Sequence, residues 1–242
     1  MGAGSSGSAI AYRLAQENNM KVLLIEYGGQ NRSIFIDMPA ALSYPMNLKK
    51  YNWGYRAEPE PNLYGRSLIC PRGKGLGGSS SINGMIYVRG HPQDFDNWST
   101  KGASSWSFAD VLPYFKKMEC CESRQSAWRG KNGPIRIKTA EQKNVLHKVF
   151  SDAAIQCGYS FTEDYNGYKQ EGIGAAEMTV YNGKRWSTAQ GYLKNITKQK
   201  NICIMTSCLV DKLLFLNNKC NEVIFRKKSE NFSAQCKRGV IL

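Results

Sequence analysis

Gly2-Ala3-Gly4-Ser5-Ser6-Gly7 opens the chain, and Lys21-Val22-Leu23-Leu24-Ile25-Glu26 follows it after one helix length. The first segment matches G-x-G-x-x-G. Glycines at those three positions permit a tight turn and let the backbone approach a pyrophosphate, while the next helix aims its unpaired amides at the phosphates. Between the segments, Ile10 and Leu14 share a helix face with Ala11 and Ala15 beside them, and Asn18-Asn19 ends the pattern. The apolar run to Ile25 reads as a short buried parallel strand. Glu26 stands where an acid accepts hydrogen bonds from a ribose, about 20 residues after the turn. A lone glycine motif also fits a structural turn; helix, strand and acid in this order favour a dinucleotide site.

A second glycine cluster lies further on, from Pro71-Arg72-Gly73-Lys74-Gly75-Leu76-Gly77-Gly78 to Ser79-Ser80-Ser81-Ile82-Asn83-Gly84-Met85-Ile86. It offers closely approaching backbone amides, several hydroxyls and one amide side chain. Such a loop suits packing along an isoalloxazine and hydrogen-bonding its polar edge. On composition alone a tight structural loop remains an alternative.

Residues 27–70 are rich in Gly, Pro, Asn and Tyr and read as an extended excursion. Helices are predicted over 108–118, 144–157 and 187–193, the last capped by Ser187 or Thr188. Short strands are predicted at 134–138 and, from a weak alternation, at 172–181. A β-meander is predicted from 202–205, 209–216, 222–226 and 239–242, with a turn at Asn217-Asn218. The order of elements indicates an α/β domain with an inserted segment.

The chain has 242 residues, with 33 Lys and Arg against 19 Asp and Glu, a formal charge of +14. Hydrophobic residues at 42% and charged residues at 21% exclude a disordered tail and a coiled coil. The length allows one large domain or two small ones. A strong positive charge raises nucleic acid or an anionic membrane as partners. The basic residues, however, come as scattered pairs such as Lys49-Lys50 and Lys116-Lys117, without an aromatic-interleaved motif, so no nucleic-acid partner is expected. The eight cysteines form no C-x-x-C pair, and neither His91 nor His147 stands at ligand spacing from one, so no metal site is expected. No apolar run approaches the ~20 residues of a membrane span. No secretion leader is read at Met1, and reduced thiols in the cytoplasm are the default expectation.

The segment Pro71–Met85, taken with the opening turn, resembles the glucose-methanol-choline (GMC) oxidoreductases, which bind FAD. Tyr51-Asn52-Trp53-Gly54-Tyr55, Glu58-Pro59-Glu60-Pro61, Tyr87-Val88-Arg89-Gly90-His91 and Gly183-Lys184-Arg185-Trp186-Ser187 resemble the choline-oxidising branch in particular. The resemblance implies an α/β (α+β) fold: a Rossmann-like FAD-binding domain with an inserted or second substrate-binding region. Residues 1–140 would form its first part, with the excursion at 27–70; 141–195 part of the substrate-binding domain; and 196–242 the return as a meander. The fingerprint calls for an apolar strand just before Gly2, where the chain supplies only Met1, so a truncated, N-terminal part of a longer flavoenzyme is expected.

The implied activity is oxidation of the CH–OH group of an alcohol, choline to betaine aldehyde, by hydride transfer to flavin N5. Electrons would pass to an acceptor or respiratory chain. The implied location is cytoplasmic, peripheral on a bacterial inner membrane, or mitochondrial. By similarity, Gly2, Gly4 and Gly7, with Ser5 and Ser6 between them, face the FAD pyrophosphate and Glu26 the adenosine ribose. Arg72, Gly75, Gly77 and Gly78 belong to the flavin loop, Asn83, Gly84, Met85 and Ile86 run beside the isoalloxazine, and Val210 contacts adenine. Some relatives carry a flavin-linking histidine where this chain has Ile82, so non-covalent FAD is implied. The family's catalytic histidine is expected beyond residue 242. His91 is read as structural, His147 as a surface or core residue, and Tyr44, Trp53 and Tyr55 as packing residues.

Overall fold

The computed structural model describes residues 1–17, 19–124 and 126–242; the predicted break at Asn18 lies outside the described residues. In chain order the helices and strands are α1 (Ser5–Ala15), β1 (Val22–Ile25), α2 (Ile34–Asp37), α3 (Ser43–Asn47), β2 (Tyr55–Arg56), β3 (Ile69–Cys70), α4 (Pro92–Thr100), α5 (Phe108–Met118), β4 (Glu119–Cys121), β5 (Ile135–Thr139), α6 (Val145–Gln156), β6 (Glu177–Met178), β7 (Val180–Tyr181), β8 (Lys184–Arg185), β9 (Ile202–Met205), β10 (Cys208–Leu216), β11 (Lys219–Lys227) and β12 (Glu230–Gln235). The chain divides into two compact units, Met1–Gly84 with Lys184–Leu242, and Met85–Gly183. Packing thus changes at 84/85 and 183/184, where the sequence reading drew its changes of role at 140/141 and 195/196. β5 falls in the second unit because it pairs with β4 and β6.

In the first unit β1 runs parallel to β9, from Val22 opposite Ile202 to Ile25 opposite Met205. The buried face of α1 is Ser8, Ala11 and Ala15. Those small side chains let the helix sit close to Leu24, Leu193 and Ile196, with Ala3 in the same core. At its far end Asn201 Nδ2 donates to the carbonyl of Ala15 at 2.8 Å, satisfying one of the carbonyls a helix end leaves open. β10, β11 and β12 form the meander. Asn217 and Asn218 both adopt positive φ, as the tight two-residue hairpin turn requires. Val223, Phe225 and Cys208 pack under this sheet with Ile25.

β9 pairs with β1 rather than joining the meander, and β12 supplies the third meander strand, while residues 239–242 form none. The weak alternation over 172–181 yields only the two-residue strands β6 and β7. Residues 187–193 give a five-residue wide helical turn, Ala189–Leu193, without a side-chain cap from Thr188. The reason is tertiary: the Thr188 hydroxyl lies 2.9 Å from Ser80 Oγ, and the Thr188 N–H donates to the same oxygen at 3.0 Å, so the side chain that would cap is engaged by another segment.

In the second unit α4 and α5 both begin with a capping box, His91 with Asp94 and Ser107 with Asp110. The helices are joined by an aromatic cluster in which Phe95 lies 5.6 Å from Phe115 and 5.3 Å from Trp98. Behind β4, β5 and β6 lies a closed ion network. The Arg129 guanidinium donates to Glu119 at 2.9 Å, to Glu177 at 2.9 Å and to Asp164 at 2.7 Å. Arg89 adds a second contact to Glu119 at 2.8 Å. Burial alone would weaken the protonated Arg129, but its hydrogen bonds to Glu177 and Glu119 outweigh it and hold the guanidinium more firmly charged than usual. In α6 no residue is buried; Val145, Leu146, Val149 and Phe150 are 57–70% exposed.

The charge is divided unevenly. The first unit carries 21 Lys and Arg against 8 Asp and Glu, a net +13, and the second 12 against 11, a net +1.

Candidate dinucleotide site

Gly2 stands in the left-handed region at φ +82°, and its N–H donates to the carbonyl of Ile25 at 2.7 Å, which ties the turn to β1. A Cβ on Gly7 would stand 1.9 Å from the carbonyl oxygen of Gly2, so the third glycine is required by close approach. A Cβ on Gly2 or Gly4 would meet nothing within 4 Å. Gly4 is the N-cap of α1 and provides no side chain, and the first turn has no acidic residue. Ser5 and Ser6 are exposed. An uncovered, uncapped helix start without acids is suited to an anion, because its amides and dipole point outward.

The second glycine segment closes against the first. The Gly77 N–H donates to the carbonyl of Ala3 at 2.7 Å, and a Cβ on Gly78 would stand 2.7 Å from Gly4 Cα. Gly75, Gly77 and Gly78 are buried and Arg72 is exposed. Leu76 is held through its carbonyl by Asn31 Nδ2 at 3.0 Å. Glu26 joins the same ensemble: its carboxylate accepts from the N–H of Ala3 at 2.8 Å, Gly28 at 2.8 Å and Gly75 at 3.0 Å. The expected ribose contact would therefore use what remains of the acceptor capacity of an already clamped carboxylate.

Asn83 and Gly84 are exposed at the end of this loop, after the buried Ser81 and Ile82. Ile82 packs with Ile36 and Tyr51. Val210 lies half-buried on β10, opposite Phe225. Met85 and Ile86 open the second unit: Met85 is buried with φ +65°, and Ile86 is 57% exposed. The structure thus gathers the fingerprint, Glu26 and Gly75–Gly78 at one place in the first unit. His91 caps α4, its Nδ1 accepting from Gln93 N–H at 3.2 Å, and His147 is an exposed residue of α6.

Sequence reasoning missed the residues that hold the second loop. Arg185 is fully buried. Its Nε donates to the carbonyl of Ile36 at 2.9 Å, and its Nη1 to the carbonyls of Asn83 at 2.7 Å and Ser80 at 3.3 Å and to Asn83 Oδ1 at 2.9 Å. Burial lowers its pKa to about 10. Asn31 and Arg185 are both distant from the loop in sequence; Arg185 stands in the segment 183–187 that carries part of the resemblance, but nothing there points to this loop, and no pattern flags Asn31.

A glycine turn feeding an uncapped helix, closed by a second glycine loop and pinned by one carboxylate, defines the dinucleotide-binding class. The chain belongs to the GMC oxidoreductase family, whose profile matches residues 1–242. Members of this family are FAD flavoproteins. Oxygen-dependent choline dehydrogenase of Brucella melitensis is 54% identical over 202 residues, covering 84% of this chain and 37% of that protein. The protein of the same name from Rhizobium etli is 47% identical over all 242 residues, covering 100% of this chain and 44% of its own length. The chain therefore spans less than half the length of these relatives. Among solved structures, pyridoxine 4-oxidase from Mesorbium loti superposes with a TM-score of 0.91 at 30% identity, over 97% of this chain and 46% of that one. Formate oxidase of Aspergillus oryzae gives 0.87 at 26%, over 98% and 43%.

Proposed function

We propose that this chain forms the FAD-holding part of an oxidoreductase acting on the CH–OH group of an alcohol, with choline as the substrate that the relatives' names favour. The observation that carries the reading is the closure of the second glycine loop on the first, Gly77 to Ala3 and Gly78 on Gly4, beside an uncapped α1. The fit is chemical: the open helix start suits a pyrophosphate, and Glu26 pins both glycine segments. In this reading Gly2, Gly4, Ser5, Ser6 and Gly7 hold the phosphates. Gly75, Gly77 and Gly78, with Arg72, shape the flavin loop, Asn83 to Ile86 follow the ring edge, and Val210 and Glu26 serve adenosine. FAD bound there supplies the two-electron acceptor for alcohol oxidation. The buried aliphatic Ile82 has no nucleophile, which favours non-covalent binding. Neither His91 nor His147 is given a catalytic role.

Residues 1–140 and 196–242 would serve the cofactor and 141–195 the substrate. The electron acceptor, cytoplasmic residence and peripheral membrane contact are further parts of the proposal. Among the described residues no helix is long and apolar enough to cross a membrane. The +13 of the first unit supports attraction to an anionic surface. The test is reconstitution of the purified chain with FAD: a flavin spectrum that survives desalting is expected, and its absence would remove the flavoprotein reading. Choline-dependent bleaching of the flavin, measured in a protein that spans the relatives' full length, tests the substrate. Salt-sensitive sedimentation with phosphatidylglycerol vesicles, against phosphatidylcholine, tests the membrane contact.

A further inference from the structure

We propose that Arg185 is a positioning residue that holds the second glycine loop in its cofactor-accepting form and keeps an unneutralised positive charge beside it. The proposal rests on the flavin reading above. Arg185 is 1% exposed, yet its hydrogen-bond partners are neutral: the carbonyls of Ile36, Ser80 and Asn83 and the side chain of Asn83. It forms no ion pair among the described residues; Asp37 acts on it only through space. Its Nη2 is buried and has no acceptor.

Holding carbonyls in place needs donors but not a charge. A buried cation ordinarily sits against a carboxylate, because desolvating it otherwise costs heavily. Arg129 in the second unit shows the ordinary solution, with three acids around one guanidinium. Arg185 departs from it on the loop that closes over the fingerprint. Nη1 holds Ser80 and Asn83 while Nε holds Ile36, so the planar group fixes the loop against the carbonyl of Ile36. Asn83 is itself exposed, so the clamp reaches from the buried side to the open edge. A positive charge left over at that position favours an electron-rich group, and charge near a flavin tunes its electronics.

Arg185→Lys keeps the charge and loses the fork; Arg185→Met loses both. Titrating apoprotein with FAD, both variants are expected to bind about tenfold or more weakly than the wild type, since charged hydrogen bonds are lost in each. The midpoint potential of the bound flavin, at saturating FAD, is expected to fall in Arg185→Met and to return toward the wild-type value in Arg185→Lys. Affinities within about twofold of wild type overturn the positioning role, and equal potentials in the three proteins overturn the charge role. If Arg185→Met does not fold, the affinity of Arg185→Lys decides the positioning role, and the potential of Arg185→Gln, which keeps an amide donor and loses the charge, decides the charge role: a value below wild type supports it and an equal value overturns it. If the wild type itself binds no FAD, the flavin reading fails instead. The clamp is then tested alone by amide exchange at Ile82 and Asn83, whose N–H groups donate to Ser79 at 3.1 and 2.9 Å. Faster exchange in Arg185→Lys supports the clamp, and an unchanged rate overturns it.

Discussion

The N–H of Gly77 donates to the carbonyl of Ala3 across 74 positions of sequence, at 2.7 Å. That bond makes the two glycine segments one structure: the start of α1 and the second loop move together or not at all.

Gly7→Ala places a methyl group 1.9 Å from the carbonyl oxygen of Gly2, which must then leave its place beside β1. FAD affinity, read by fluorescence titration, is expected to fall at least about tenfold. Gly4→Ala is the control, because its Cβ meets nothing within 4 Å in the cofactor-free chain; in the FAD-free state it is expected to unfold within about 0.5 kcal/mol of wild type.

Glu26→Gln removes the charge and replaces one of the two accepting oxygens with an NH2 donor, which faces either the Ala3 N–H or the Gly28 and Gly75 N–H groups. Stability without cofactor is expected to drop by about 2–3 kcal/mol, measured by urea unfolding. An unchanged midpoint would show that the Glu26 clamp carries no folding energy.

Arg129→Met takes from Glu119 and Glu177 the cation they share, leaving Glu119 to Arg89 and Glu177 to the longer 3.6 Å contact with Arg124. A loss of about 3–5 kcal/mol is expected. Lys148→Ala breaks the exposed pair with Asp152 on α6, 2.6 Å apart, and should cost less than about 0.5 kcal/mol. Equal losses in the two variants would contradict the assignment of stability to the buried network.

Glu177 gives the pH dependence its sign. Burial alone would raise its pKa, but hydrogen bonds from Arg129 and Asn166 outweigh it and hold the carboxyl below its ordinary value of 4.5. Its folded pKa is thus depressed, so its stabilisation is present above 4.5 and is lost as pH falls through the lower folded value. Glu177→Gln should therefore flatten the stability profile on the acid side of pH 4.5, in unfolding curves taken across that range.

The elements with their own periodicity or punctuation were legible in the sequence. α5 matches at both ends, because Ser107 and Asp110 advertise its start. α1 and β1 were legible from the glycine turn and the apolar run. Asn217-Asn218 was legible because few other residues accept two successive positive φ angles. β9 was misassigned because an apolar tetrapeptide carries no record of whether its partner is next door or about 180 residues back at Val22. α4 was missed because one aromatic cluster, centred on Phe95, rather than a repeating face, holds it to α5. At the site, the glycines and Glu26 were legible and Arg185 and Asn31 were not. The former act through backbone constraints that leave a motif, and the latter through long-range bonds to carbonyls that any sequence provides.

The exposed face of α6 has a colloidal consequence. Val145, Leu146, Val149 and Phe150 belong to the unit whose net charge is +1, so electrostatic repulsion does not keep copies of that face apart. The strongly basic half keeps the chain dispersed at low ionic strength; added salt screens that half and leaves the neutral one sticky. Concentrating the protein is therefore expected to be limited by α6 rather than by the cofactor half, and a surfactant should help where more salt does not.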